Sequence, residues 1–447
     1  MSDWFDAEQR IERAQELLES RQWAEALAEI DAALEMNPDN ASWHAHRGYV
    51  LDQLERFPEA VEAFQQVLQL SDGDIEVTTA LGIDLIRVGR FAHAIEIFER
   101  LAADHPDHEP AYCHRILAYS ELGEHDRAEE MFYLAQQIEE RCPQCFANIG
   151  VSLAARGDHQ RAITCWERAL EIEPEFPGLK ARIARAYRAQ GELARAREYY
   201  LGEIRQDPGD TELLFELGEL LAEAGDAEAA INKFQQIVEL DPEHLPAQLA
   251  LAELLMATGQ PQQALQKLQG VADQQEGENP LLELRLGQVY LFLEREREAL
   301  GHLEKVLAGD PENEAAVMAM GGCLLRLNRS QEAGDCFRRV LALDERSVQA
   351  HHNLGVCLYV QKRYQSAREH FLRAVELEPK FAVAMYKAAL ACIRLARWQE
   401  AAELIRRARK VAPDVEALTR LSRRLWRFRV RHWLNRLVRP IGRLLGR

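Results

Sequence analysis

Small and large apolar positions alternate along this chain in a register that returns every 34 residues, twelve times. Alanine marks it most plainly: Ala26, Ala60, Ala94, Ala128, Ala162, Ala196, Ala230 and Ala264, then, one residue late, Ala299, Ala333, Ala367 and Ala401. Twelve residues before each alanine stands a small residue: Ala14, Gly48, Gly82, Gly150, Ala184, Gly218, Ala252, Gly287, Gly321, Gly355 and Ala389. Ile116 alone breaks that row. Four residues after the alanine comes a large apolar group, such as Phe64, Phe98, Trp166, Tyr200 or Phe371. Twelve after it comes proline, at Pro38, Pro106, Pro174, Pro208, Pro242, Pro311, Pro379 and Pro413; Asp72, Glu140, Glu276 and Glu345 fill the other places.

Each position has a physical reason. A small residue lets two helices approach closely, because no branched side chain holds the backbones apart. The large group four residues past the alanine lies on the same helical face and fills the space beside it. Proline cannot continue a helix and pushes the preceding residue toward an extended state. Gly89, Gly123, Gly157, Gly191, Gly225 and Gly259 recur between the small residue and the alanine. Glycine there can end a first helix in the left-handed conformation. Each repeat therefore predicts a helix, a tight turn, a second helix and a loop. A fixed period of this length marks stacked units that share a continuous core.

The four coincident positions resemble the tetratricopeptide repeat. The resemblance implies an all-α fold, a right-handed α-α superhelix, with protein or peptide binding as its use. It predicts a lead at 1–6, twelve repeats over 7–415, and a capping helix with a basic amphipathic tail over 416–447. Ile116 predicts different packing in repeat four. The polar run 274–279 carries the inserted residue and predicts a looser joint between repeats eight and nine.

Six residues before the repeats and 32 after them leave no space for a catalytic domain. The chain has no phosphate-cradling glycine loop, nucleophile elbow or HExxH pattern. A non-enzymatic scaffold without cofactor or metal is the expectation. Some relatives carry a glycosyltransferase domain and line the groove with asparagine at the sixth place of the first helix. Here that place holds asparagine only at Asn148 and Asn353. Others clamp paired carboxylates with lysine and asparagine; the matching places here hold Cys113, Leu117, Met318 and Gly322.

Charge changes the picture at one end. The whole chain carries a formal −19, yet residues 416–447 hold ten arginines against Glu416, a local +9 that leaves −28 on the rest. An acidic body argues against nucleic acid as its partner. The N-terminus has neither a basic region nor an apolar run, which argues against a signal peptide. Eight cysteines scattered through predicted helices suit a reducing cytoplasm.

Cys142-Pro143-Gln144-Cys145 forms a CxxC at a predicted helix start, with Cys142 as cap and Pro143 as first helical residue. A helix N-terminus lowers a thiol's pKa, so a redox pair is one reading. A zinc site is another; it needs two further ligands, for which Cys113, His114 and Cys165 are the nearest candidates. Packing residues plus a loop cysteine are the plainer reading. Cys323, Cys336, Cys357 and Cys392 fall at helix-packing places. The pairs His44/His46 and His351/His352 lack ligand spacing and read as surface or groove residues.

The first helix of each repeat is expected to line the concave face, through its second, fifth, sixth, ninth, twelfth and thirteenth places. Repeat six presents Arg182, Arg185 and Arg188 there; repeat seven presents Glu212, Glu216, Glu219 and Glu223. These stripes are expected to pair with each other. Farther on, Arg285, Arg326, His352, Asn353, Tyr359, Tyr386, Lys387 and Arg394 are predicted to face inward. Basic and aromatic groups together suit an extended acidic or C-terminal-carboxylate peptide; a solvated mixed surface is the alternative.

Beyond Pro413, Leu418, Leu421 and Leu425 are spaced to cover the open face of the last repeat. Trp426, Val430, Trp433, Leu437, Ile441 and Leu444 then follow helical spacing, with Arg427, Arg431, Arg439 and Arg443 toward the other side. With Arg423 and Arg424 they predict contact with an anionic membrane surface, and so a cytoplasmic protein peripheral at a membrane's inner face. Folding of the tail onto the acidic solenoid, a longer solvated cap, and RNA binding by the tail's arginines and aromatic groups are the rivals. Two other functions stay open: redox or metal binding through Cys142 and Cys145, and self-assembly. The oligomeric state is left open.

Overall fold

A computed structural model describes residues 2–71, 74–274, 277, 279–413 and 415–426, with no side-chain account of residues 2–5 or 274. Among these residues lie twenty-four helices and no strand, followed by helical residues 416–426. They alternate as the periodicity predicts. Repeat three, for example, comprises Ile75–Arg87 and Phe91–Asp104; repeat eleven comprises Val348–Val360 and Tyr364–Leu377. The chain divides into two compact bodies, Met1–Gly225 and Asp226–Arg447, at the turn of repeat seven. Of the run 274–279, residues 275, 276 and 278 lie outside the described residues.

The turns are built alike. Gly89 has φ +75°, donates to the Ile86 carbonyl at 2.9 Å, and lets Arg90 donate to Leu85 at 2.7 Å. This pair of bonds satisfies carbonyls that the helix end leaves open. The same place is left-handed where it is not glycine: Arg21, Glu55, Glu294, Asn328, Lys362 and Ala396 have φ between 55° and 64°. Many first helices start on a side-chain cap. Asp74 accepts from the Val77 N–H at 2.6 Å, and Asn313 accepts from Ala316 at 3.1 Å.

Inside a repeat, the small residue of the first helix meets the large group of the second. A Cβ added to Gly48 would stand 2.5 Å from Phe64 Cε1; one added to Gly355 would stand 2.7 Å from Phe371 Cδ1. Gly321 and Phe337 make the same fit, and Gly150 faces Trp166, whose Nε1–H donates to the Ala147 carbonyl at 3.0 Å. Phe64, Phe98, Phe337 and Phe371 are wholly buried. Where the small residue is Ala14, Ala252 or Ala389, its counterpart is Ile30, Leu268 or Ile405 rather than a ring, although Ala184 meets Tyr200 and Gly287 meets Leu303. Repeat four, with helices Glu109–Glu121 and His125–Ile138, departs as Ile116 predicts. Ile116 is buried in the ring's place, and Phe132 is only half-buried, edge-on to Phe146 of the next repeat at 5.4 Å.

At the far end, Leu418 is buried with Ala374, Val375, Met385 and Ala408, while Leu421 and Leu425 join Ala388, Cys392 and Leu404. The last repeat's apolar face is thus covered. No helix among the described residues is long and apolar enough to cross a membrane.

The first body buries one carboxylate in an unusual setting. Asp84 is 1% exposed; its Oδ1 accepts from Arg87 at 2.9 Å, Arg87 also pairs with Asp52, and Asp84 Oδ2 has no hydrogen-bond partner among the described residues. Burial first, then the neighbouring Asp52, push the Asp84 carboxyl up to about 7.

Two predictions follow from this packing and burial. Gly355→Val should destabilise the protein by about 2 kcal/mol in urea unfolding, because a branched side chain cannot share space with Phe371. Gly355→Ala combined with Phe371→Leu should restore most of that loss, since Ala252 and Leu268 already hold those places in repeat eight. Asp84 titrates near 3.8 when unfolded and near 7 when folded, so its contribution is full below about pH 4 and is lost as pH rises through about 7. The thermal midpoint of the native chain should therefore fall relative to Asp84→Asn across that window; parallel curves would show Asp84 ionised throughout.

Candidate functional site

On the first helices of repeats six and seven, two of the arginines pair with glutamates one repeat on. Arg185, on Leu179–Ala189, grips Glu216, on Thr211–Glu223, with two nitrogens at 2.8 and 2.6 Å. Arg188 reaches Glu219 at 3.2 Å and Glu223 at 2.6 Å. The Tyr200 hydroxyl donates to Glu216 at 2.7 Å. These pairs span 31 to 35 residues, one repeat, as expected for stacked stripes. Beside them an open hollow of about 330 Å³ is lined by Leu117, Val151, Ala154, Trp166, Arg182 and Ala186, among others. Arg182 makes no ion pair among the described residues. The sequence reading passed over this hollow. Its signal was the apolar Leu117 and Val151 at ninth places, where a groove is normally polar.

The eight residues predicted for the C-terminal groove do not form one site. Arg285 is paired with Glu253 at 2.7 Å. Arg326 donates to the Leu291 carbonyl at 3.1 Å and lies 3.8 Å from Glu296. His352 packs between Phe371 and Phe381, with ring centroids 5.6 and 5.2 Å away. Burial, helped by Lys387, pushes its pKa down to about 4, so it is a neutral packing group. Asn353 lies against Met318 Sδ at 3.8 Å.

Tyr386 is half-buried, packed against the core of the last repeats. Arg394 stacks over Tyr364, its centre 5.7 Å away, and donates to the Tyr359 hydroxyl at 3.4 Å. Arg394 and Lys387 make no ion pair with a carboxylate among the described residues. Tyr359, Leu390, Ile393, Arg394, Trp398, Leu421 and Arg424 enclose a hollow of about 250 Å³. Two groove residues and one residue assigned to the tail therefore meet at a single place. Trp426 is exposed; Arg423 lies on the same short helix. Arg427, Arg431, Trp433, Arg439 and Arg443 lie outside the described residues.

The CxxC is not alone. Cys142 caps the helix Pro143–Ala155, and its Sγ accepts from the Cys145 N–H at 3.2 Å. The stacking of repeats brings Cys113 and Glu109 to it, from the first helix of repeat four. His114 and Cys165 do not join: His114 is stacked on Phe98 at 5.6 Å, and Cys165 stands apart. Hydrogen bonds from the Cys113 and Cys145 thiols pull Cys142 far down from the usual thiol range, while Cys113 and Cys145 move up. Burial pushes Glu109 up to about 7. Cys323, Cys357 and Cys392, by contrast, are simply buried, which raises each to about 11. His44 contacts the Pro38 carbonyl at 2.8 Å, and His351 contacts His370 at 3.0 Å.

Comparison with known proteins agrees with the architecture. The family described as "Tetratricopeptide repeat" matches residues 11–75, 79–144 and 148–211, and a second model of the same description matches 221–285. The family described as "Anaphase-promoting complex, cyclosome, subunit 3" matches 293–374 and 336–408. No curated protein matches the chain. Among solved structures, the APC/C hetero-tetramer Cut9–Hcn1 is similar at 14% identity and TM-score 0.49, covering 92% of this chain and 95% of that one. A tetratricopeptide repeat protein from Parabacteroides merdae is similar at 18% identity and TM-score 0.47, over 56% of this chain and 99% of its own. Yeast Tom70 is similar at 14% identity and TM-score 0.42, over 92% and 99%.

Proposed function

Because the chain belongs to the tetratricopeptide repeat family, we propose that it is a protein-interaction scaffold that seats an extended acidic segment on the first helices of repeats eleven and twelve. One observation carries the choice of place. Of the three groove arginines of repeat six, Arg185 and Arg188 are held by glutamates of repeat seven and Arg182 is not, whereas neither Lys387 nor Arg394 has a carboxylate partner among the described residues. Arg394 stands at the rim of the 250 Å³ hollow, whose wall of Leu390, Ile393 and Trp398 suits one apolar side chain. A segment with a carboxylate beside that side chain gains charge-assisted hydrogen bonds and apolar burial together. Those gains must exceed the cost of ordering an extended chain, which a preformed wall of helices keeps small.

The tail supplies a second contact in this proposal. Trp426 is 67% exposed, on a helix that also carries Arg423 and Arg424. An indole beside cations suits the interface of an anionic bilayer.

A fluorescein-labelled peptide of alternating glutamate and leucine with a free C-terminal carboxylate tests the groove by anisotropy. Binding should weaken with salt, and Lys387→Glu with Arg394→Glu should weaken it by about tenfold or more. Unchanged affinity in that double variant would move the site elsewhere. Vesicle co-sedimentation tests the tail, comparing the full chain with a chain ending at Leu425, which removes Trp426 and the arginines after it but keeps Leu418, Leu421 and Leu425. The full chain should sediment with anionic but not neutral phospholipid, and the shortened chain with neither. Equal sedimentation of the two forms would remove the membrane role of the tail.

A further inference from the structure

Four potential ligands meet where repeat four stacks on repeat five. Glu109 and Cys113 lie one turn apart on one helix; Cys142 and Cys145 open the next first helix. One donor atom from each lies within 4.8 Å of all the others, and among the described residues no other group of this kind occurs. Cys113 and Cys145 are each 1% exposed, Cys142 is 9% exposed, and Glu109 is half-buried. We propose that these four residues bind one zinc ion, through three thiolates and one carboxylate, and that the ion clamps repeat four to repeat five.

The donor set suits the metal. Zinc takes four ligands of thiolate, imidazole or carboxylate type in a tetrahedron, and a site with all four from protein is structural rather than catalytic. Thiolates bound at about 2.3 Å stand about 3.8 Å apart in that geometry. Drawing in a group already within 4.8 Å takes small side-chain rotations. On binding, the thiol protons leave to water, and the filled site carries the net charge of an ordinary four-cysteine zinc site.

The surroundings are built for thiolate. The Cys145 N–H already points at Cys142 Sγ, at 3.2 Å. Asn148 Nδ2 lies 3.6 Å from Cys113 Sγ and donates to the Cys113 carbonyl at 3.0 Å. Gln144 donates to Asn148 Oδ1 at 2.9 Å, which holds that amide's orientation. Donors of this outer layer orient metal ligands and tune their affinity. The positive end of the Pro143–Ala155 helix adds a favourable field at Cys142.

The place also has a structural use for a clamp. Repeat four is the one in which Ile116 replaces the small residue and Phe132 is left half-buried. A metal joining Cys113, three residues from Ile116, to the next repeat would strengthen this irregular joint.

The test uses the full chain, purified under reducing conditions without chelator. Elemental analysis should find one zinc per chain. After chelator stripping, Co2+ should give sulfur-to-cobalt charge-transfer absorption that Zn2+ abolishes. Cys113→Ser and Cys142→Ser should each lose that absorption, whereas Cys336→Ser should keep it. Asn148→Ala, which leaves all four ligands, should lower affinity about tenfold. Zinc should raise the melting temperature of the native chain but not of Cys142→Ser. Absence of the cobalt absorption in the full chain, its persistence in Cys113→Ser, or a Cys142–Cys145 disulfide in place of bound metal would each overturn the proposal.

Discussion

Everything in this protein rests on the close approach of two helices within each repeat. That approach needs a residue with little or no side chain at one place and a large apolar group sixteen residues later. Gly150 with Trp166, Gly82 with Phe98 and Gly48 with Phe64 are the tightest cases, and the ring occupies the very space a Cβ would take. Close-packed interiors tolerate neither the extra methyl nor the missing ring. Alanine with isoleucine or leucine replaces glycine with a ring in three of the repeats. This regularity lets identical hairpins stack and hold long rows of first-helix side chains in register.

The rows then differ by charge rather than by shape. In repeats six and seven, opposite stripes sit one repeat apart and satisfy each other, with Arg185 on Glu216 and Arg188 on Glu219 and Glu223. Such pairs add little stability each where they are exposed. Their larger effect is to remove that stretch from competition for ligands. In repeats eleven and twelve Arg394 faces Tyr359 and Tyr364 instead, and Arg424 borders the same hollow.

The cysteines divide the same way. Cys336, Cys357 and Cys392 serve as small packing groups in an apolar core. Cys113, Cys142 and Cys145 share a polar, hydrogen-bonded pocket with Glu109 and Asn148. Residue type and burial are alike in the two sets. The company each cysteine keeps separates them.

What could be read from the sequence is what acts within a single repeat. The helix ends, the left-handed turn residues, the small-to-large pairing and the odd packing around Ile116 all depend on residues at most about sixteen apart. Local backbone preference and side-chain volume act at that range, so the 34-residue register exposes them. The Arg–Glu stripes were also legible, because equal places in adjacent repeats are neighbours by construction. Only the stacked structure decided the rest. His352, predicted to face inward, is wedged between Phe371 and Phe381, and Arg285, predicted to face inward, is held by Glu253. Glu109 gave no sign of joining the CxxC, although its spacing from Cys113 places the two on one helical face. The reason is geometric. Which side chains meet across repeats depends on how far each hairpin is rotated against the next, and that rotation comes from the whole packed interface rather than from any one place in the pattern.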